Sequence, residues 1–213
     1  MLSSLIWTAR WSTPRPTWLQ FCKPCKTPFH LARCYVSNGA MGLLSFGFPN
    51  IEIEFGGELH QKYLEHYAEM VCIESAVFDG LSDMLDELDA LGLPWGVVTN
   101  KPHQLTEPLL HALKLAERSV CAISGDTLAV RKPDPAPVLL ACDIAGVDPS
   151  TTIFVGDAER DIEAGRRAGT ATIAAAYGYI TDDDDPREWD ADVIATSTEE
   201  LAQIVLKAVN LEG

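Results

Sequence analysis

Hydrophobic positions along the chain alternate between two periods. Glu58 to Val71 places Leu59, Tyr63, Leu64, Tyr67 and Met70 at helical spacing, and Leu81 to Leu91 places Leu81, Met84, Leu85, Leu88 and Leu91 on one helical face. Before them, Val36 to Leu44 has the make-up of a glycine-bearing loop that leads into a helix, and Phe78-Asp79-Gly80 marks a turn. After them come short apolar runs of strand length at Trp95 to Thr99, Val120 to Ser124, Ile153 to Val155, Thr170 to Ala175 and Asp192 to Ile194. Helical stretches separate these runs: His103 to Leu113, Ala136 to Ala145, a segment closing at Gly169, and Thr198 to Val209. Strands alternating with helices of about ten residues imply right-handed crossovers. The fold class expected is α/β, a Rossmann-like parallel sheet with helices on both faces.

One stretch carries the densest chemistry. IFVGDAERDIEAGRRAG, Ile153 to Gly169, reads as strand, acidic turn, helix. Asp157 falls at the carboxyl end of the strand and Asp161 about one helical turn later, so both carboxylates can face one point. In an open α/β sheet ligands bind at that edge, and two carboxylates there suit a hard cation such as Mg²⁺. The plain alternative is a capping Asp157 and a solvated Asp161. Two further features end on the same rim: Thr99-Asn100 after an earlier strand, and Lys132 before a helix. A hydroxyl and backbone N–H, an ammonium and a metal carboxylate make a pocket that can hold and neutralise a phosphoryl group. Taken singly, Thr99-Asn100 could be a turn and helix cap, and Lys132 an exposed loop lysine.

Composition narrows the partners. A formal charge of −15 opposes nucleic acid and anionic membranes, and no apolar run approaches the roughly 18 residues of a membrane span. Six cysteines without regular spacing suggest reduced thiols and a cytoplasmic location. Asp182 to Asp185 is most simply a solvated acidic loop. Charge is unevenly distributed, however. Residues 1–51 hold five basic residues (Arg10, Arg15, Lys23, Lys26, Arg33) and none of the 31 acids. Trp7, Trp11 and Trp18, with Cys22, Cys25 and Cys34, crowd the same region. A transit peptide, a disordered basic arm and a shifted reading frame are three competing explanations. Cys22 and Cys25 have redox or zinc spacing, but no second pair follows them.

VVTNKP, RKPDPAP and FVGDAERDIEAGRRAG together resemble the second, third and fourth motifs of the haloacid dehalogenase-like phosphatase superfamily. The resemblance runs from about Tyr35 to the C-terminus, includes YGYITDDDDPREWDAD at Tyr177 to Asp192, and is strongest to phosphoglycolate phosphatases and N-acetylmuramic acid 6-phosphate phosphatases. It implies a small α-helical cap over residues 35–80, a Rossmann-like core over 81–213, and an aberrant segment over 1–34. It also implies Mg²⁺ as cofactor and a small phosphorylated metabolite as substrate, cleaved through an aspartyl-phosphate. By the same resemblance Thr99, Asn100 and Lys132 hold the phosphoryl group, Thr99 and Lys132 serve catalysis, and Asp157 and Asp161 support the metal. A dehalogenase is disfavoured, because that chemistry needs no metal. The alternatives are the muramic acid 6-phosphate activity and a non-catalytic phosphate-binding remnant.

The family's first motif, Asp-x-Asp-Gly-Thr, supplies the nucleophile and the general acid/base, yet no aspartate precedes Asp79. Permitted codons for Ser4 to Thr17, shifted by one base with a C in front, encode LFDLDGTLVDTAPD. The attacking aspartate would straddle the codons of Leu5 and Ile6, and the acid/base aspartate those of Trp7 and Thr8. The same shift through His30 gives DLAAVLQTMQNTFP, a plausible helix, so a compensating shift is expected between about His30 and Tyr35. A displaced frame accounts for the missing acids, the tryptophans and the cysteines together, and the chain as it stands is expected to be inactive. The replacement strand, Leu2 to Trp7, would fit the family's central slot only by chance.

Overall fold

Six short apolar runs pair edge to edge and set the architecture of a computed structural model, which describes residues 4–7, 39–69, 76–178, 180 and 184–210. The strands are β1 (Ser4–Trp7), β2 (Trp95–Val98), β3 (Ala122–Ile123), β4 (Thr152–Gly156), β5 (Ala171–Ala175) and β6 (Val193–Ala195). Their order is β3-β2-β1-β4-β5-β6, and every neighbouring pair is parallel. Ser4–Trp7 therefore takes the middle of the sheet, with Trp7 opposite Val97 on one side and Val155 on the other. A short, largely apolar run is suited to an interior place in a parallel sheet.

Seven α-helices belong to the described residues: α1 (Gly39–Gly47), α2 (Glu58–Glu69), α3 (Leu81–Ala90), α4 (His103–Ala112), α5 (Ala136–Ala145), α6 (Glu159–Ala168) and α7 (Thr198–Asn210). Side-chain alternation on the strands sorts five of them between the two faces. Val97 and Val155 face a cluster with Leu85 and Leu88 of α3, Leu110 of α4, and Leu201 and Val205 of α7. Val98 and Phe154, one residue along in β2 and one residue back in β4, face Val138, Ala141 and Cys142 of α5 and Ala164 and Ala168 of α6. The doubly covered sheet expected from the sequence is present. Helices α1 and α2 stand apart on a cluster of their own, where Leu43 and Leu44 pack on Tyr63.

Two expectations need correction. Leu91, placed on the buried face of its helix, is 49% exposed. The helix stops at Ala90, and the chain turns through Gly92 at φ +67, so the helical period no longer governs Leu91. The strand expected over Val120 to Ser124 shortens to Ala122–Ile123 at the sheet edge, where Val120 is exposed. The expected helix through Val71 is described as far as Glu69, and residues 70–75 lie outside the described residues, as do Cys22, Cys25 and Cys34.

Candidate active site

In a parallel sheet every strand presents its carboxyl end to one rim, and β2 and β4 deliver Thr99 and Asp157 there. The turn after β4 is tight. A Cβ on Gly156 would lie 2.2 Å from Cβ of Asp161, so the glycine lets the first turn of α6 fold back onto the strand end. Asp157 and Asp161 are both buried. Ala158 holds the N-cap position of α6, and Asp161 is buried, which corrects the alternative of a solvated Asp161.

Lys132 is drawn fully inward, with 4% of its surface exposed. Its Nζ donates to the carbonyl oxygen of Val98 at 2.7 Å, pairs with Oδ1 of Asp161 at 3.1 Å, and lies 5.8 Å from the ring centre of Phe154. Burial pulls the ammonium below the usual lysine range; Asp161 and Asp157 oppose that shift and Arg160 adds to it. Asn100 brackets the lysine backbone: its Nδ2 donates to the Lys132 carbonyl at 3.0 Å, and its Oδ1 accepts from the Lys132 N–H at 3.1 Å. The side-chain amide of Asn100 is thus engaged in fixing Lys132. Thr99 Oγ1 accepts from the Lys101 N–H at 3.1 Å, which orients the hydroxyl.

The five residues singled out in the sequence, Thr99, Asn100, Lys132, Asp157 and Asp161, therefore meet around the ends of β2 and β4. Two carboxylates and an ammonium, shielded from water, can hold an anion and a hard cation together. Among the described residues no group of three His, Cys, Asp or Glu side chains forms a ready-made metal cage. An oxygen-only donor pair of this kind fits a cation that keeps waters and takes further oxygens from its substrate.

Other contributors lie in the quoted segments, Lys101 in VVTNKP and Tyr177 and Gly178 in YGYITDDDDPREWDAD, but were assigned no role from the sequence. Gly178, just past β5, packs on Asp157 so closely that a Cβ there would lie 2.7 Å from Cβ of Asp157 and 2.9 Å from its Oδ2. Beside it the Tyr177 phenol is pushed well above its ordinary pKa by burial and by the charge of Asp157, and its hydroxyl has no hydrogen-bond partner among the described residues. Lys101 reaches across to α2, donating from Nζ to the Tyr67 hydroxyl at 3.0 Å with its ammonium 4.6 Å from the ring centre. Their place in those segments was the available signal; that Tyr177 and Gly178 meet Asp157 follows from β5 pairing with β4, which sequence order alone does not state. A cleft of about 630 Å³ lies next to the site rather than over it, lined by Phe55, Val130, Arg131, Pro133 and Arg167 among others. In the acidic run, Asp184 accepts from Trp189 Nε1 at 2.6 Å. Asp185 is held by Arg187, which lowers its carboxyl to about 2. Asp182 and Asp183 lie outside the described residues.

The parallel sheet, covered on both faces and bearing Lys132, Asp157 and Asp161 at its carboxyl rim, is Rossmann-like. The family model of the haloacid dehalogenase-like hydrolases matches residues 41–175, and the chain belongs to that family. It is 42% identical to an N-acetylmuramic acid 6-phosphate phosphatase of Pseudomonas aeruginosa over 83% of this chain and 79% of the relative. It is 40% identical to a phosphoglycolate phosphatase of Xanthomonas campestris over 84% of this chain and 80% of the relative. Among solved structures, a predicted phosphoglycolate phosphatase from Haemophilus somnus superposes with a TM-score of 0.80 at 23% identity, covering 96% of this chain and 98% of that one. CbbY from Rhodobacter sphaeroides in complex with phosphate superposes at 0.72 with 18% identity, over 94% and 96% of the two chains. These two structures speak for the fold.

Proposed function

We propose that this chain carries the phosphate pocket of a Mg²⁺-dependent phosphomonoester hydrolase, most similar in purpose to the phosphoglycolate phosphatases, and that in its present reading frame it lacks the attacking group. The observation that carries the reading is the buried Lys132, clamped between the Val98 carbonyl and Asp161 at the rim that also bears Thr99 and Asp157. Thr99 and Lys132 hold and neutralise phosphoryl oxygens, with the Asn100 side chain keeping Lys132 in place. Asp157 and Asp161 would hold Mg²⁺, which when bound supplies charge neutralisation to the phosphoryl group. Free, buried Cys121 and Cys142 suit a reducing, cytoplasmic setting. Helices α1 and α2, with their separate core, are assigned as the cap, residues 35–80, over a core of 81–213.

A one-base displacement over the first 30 or so codons explains the missing nucleophile. Likeness to the family model begins at residue 41, which supports that reading. Loss of a covalent nucleophile costs on the order of a million-fold in rate in the best-dissected hydrolase. Resequencing the coding DNA across codons 1 to 36 tests the frame directly. In parallel, the chain and a frame-restored form carrying LFDLDGTLVDTAPD are assayed with Mg²⁺ on 2-phosphoglycolate and N-acetylmuramic acid 6-phosphate. The expected result is turnover by the restored form alone, abolished by EDTA and by Lys132→Ala or Asp157→Ala. Near-normal activity in either variant would overturn the assignments. If the frame is genuine, the surviving pocket favours a second reading, a non-catalytic phosphate-binding protein. That reading predicts Mg²⁺-dependent binding of phosphate without turnover.

A further inference from the structure

Lys101 stands out among the cations near the site. It lies two residues after Thr99, and its backbone N–H orients the Thr99 hydroxyl. Its carbonyl accepts from the Gly125 N–H at 2.9 Å and from Thr106 Oγ1 at 3.2 Å, so the backbone that carries it is fixed. The side chain leaves this anchored loop towards α2 and ends on Tyr67. Most other described cations near the rim already have an anionic or carbonyl partner: Lys132 has Asp161 and Val98, and Arg167 has Glu163 and the Pro133 carbonyl. Lys101 has only a phenol, and no carboxylate lies within ion-pairing distance of it among the described residues. The ammonium–phenol contact pairs a full charge with a neutral acceptor, and a carboxylate in its place adds the attraction of an opposite full charge at a half-buried position.

We infer that Lys101 is a specificity-determining residue that receives a carboxylate on the leaving group of the phosphomonoester, with Tyr67 as the placeholder it releases. The inference rests on the phosphate pocket proposed above. With the phosphoryl group at Thr99 and Lys132, the rest of the ligand must extend out from the sheet rim, and Lys101 spans from that rim to α2. The substrate class is then a compact phosphorylated carboxylic acid, in preference to a phosphorylated alcohol of the same size. Arg131, exposed in the neighbouring cleft, is the competing receptor.

The test is ³¹P NMR titration of the full chain, with Mg²⁺ present, by inorganic phosphate, ethyl phosphate and 2-phosphoglycolate; the spectra also report any hydrolysis. The wild-type chain is expected to bind 2-phosphoglycolate about tenfold more tightly than ethyl phosphate. Lys101→Met is expected to erase that preference while keeping phosphate affinity within about threefold, which also shows that the variant is folded. Tyr67→Phe, which leaves the ammonium in place, is expected to keep the preference, as is Arg131→Gln. A preference that survives in Lys101→Met, vanishes in Arg131→Gln or Tyr67→Phe, or is missing from the wild type overturns the inference and leaves the phosphate pocket standing. Failure of the wild type to bind inorganic phosphate overturns the pocket, and the inference with it.

Discussion

Asp157 owes its position to a residue with no side chain. Gly178 lets the chain after β5 lie against the carboxylate, and a methyl there would sit 2.9 Å from Oδ2, closer than real Cβ contacts allow. Gly178→Ala is therefore expected to cost about 1–3 kcal/mol in stability by overpacking. It should also weaken Mg²⁺-dependent phosphate binding at least tenfold, because the displaced group is the proposed metal ligand. Denaturant melts and a phosphate titration measure the two effects separately. Cys121 provides a second residue-level test. Burial, reinforced by the neighbouring Cys142, pushes its thiol up to about 11. The folded chain then keeps a proton that the unfolded thiol gives up from about pH 9, so the unfolded state binds fewer protons in this window. Stability from this thiol is fully present below pH 9 and is lost as pH rises through about 11. Urea melts between pH 8 and 11 should show that decline, and Cys121→Ala should flatten it.

Helix α6 illustrates how much of an element a sequence discloses. Its start after Gly156-Asp157 and its stop at Gly169, which adopts φ +84, were legible from strand composition, acidic turn and terminal glycine. The pocket residues were legible for the same reason: motif spacing plus a parallel sheet dictates that strand ends share a rim. Gly165, by contrast, stands inside the helix with no turn or cap to account for it. In the structure α6 packs tightly on the sheet there, and a Cβ would be 2.8 Å from Phe154 Cδ1 and 3.0 Å from Thr172 Cγ2. Helix propensity alone favours Gly165→Ala by about 1 kcal/mol. The contact with Phe154 outweighs this, and thermal unfolding is expected to show a net loss of about 1–2 kcal/mol. Nothing local to Gly165 announces that, because the neighbour arises from β4 and β5. The contact between Tyr67 and Lys101 was invisible for the same reason: the two are 34 residues apart and meet only in the folded chain.

At the scale of the whole molecule, β1 joins two half-sheets. On one side lie β2 and β3, on the other β4, β5 and β6, and the backbone pairing between them passes through Ser4–Trp7. Deleting residues 1–8 is expected to abolish a single cooperative urea transition, which circular dichroism and tryptophan fluorescence would report as two non-coincident curves. The acid-free composition of residues 1–51 warned that this region was foreign to the rest of the chain, and the run Leu2 to Trp7, expected to fill the central slot only by chance, pairs there over Ser4–Trp7. Backbone pairing asks of β1 only length and apolarity, whereas attack on phosphorus asks for one particular side chain. The scaffold of this protein and its reactivity can therefore be lost independently. If the proposed pocket binds phosphate in the present frame, the chain would hold its ligand without turning it over.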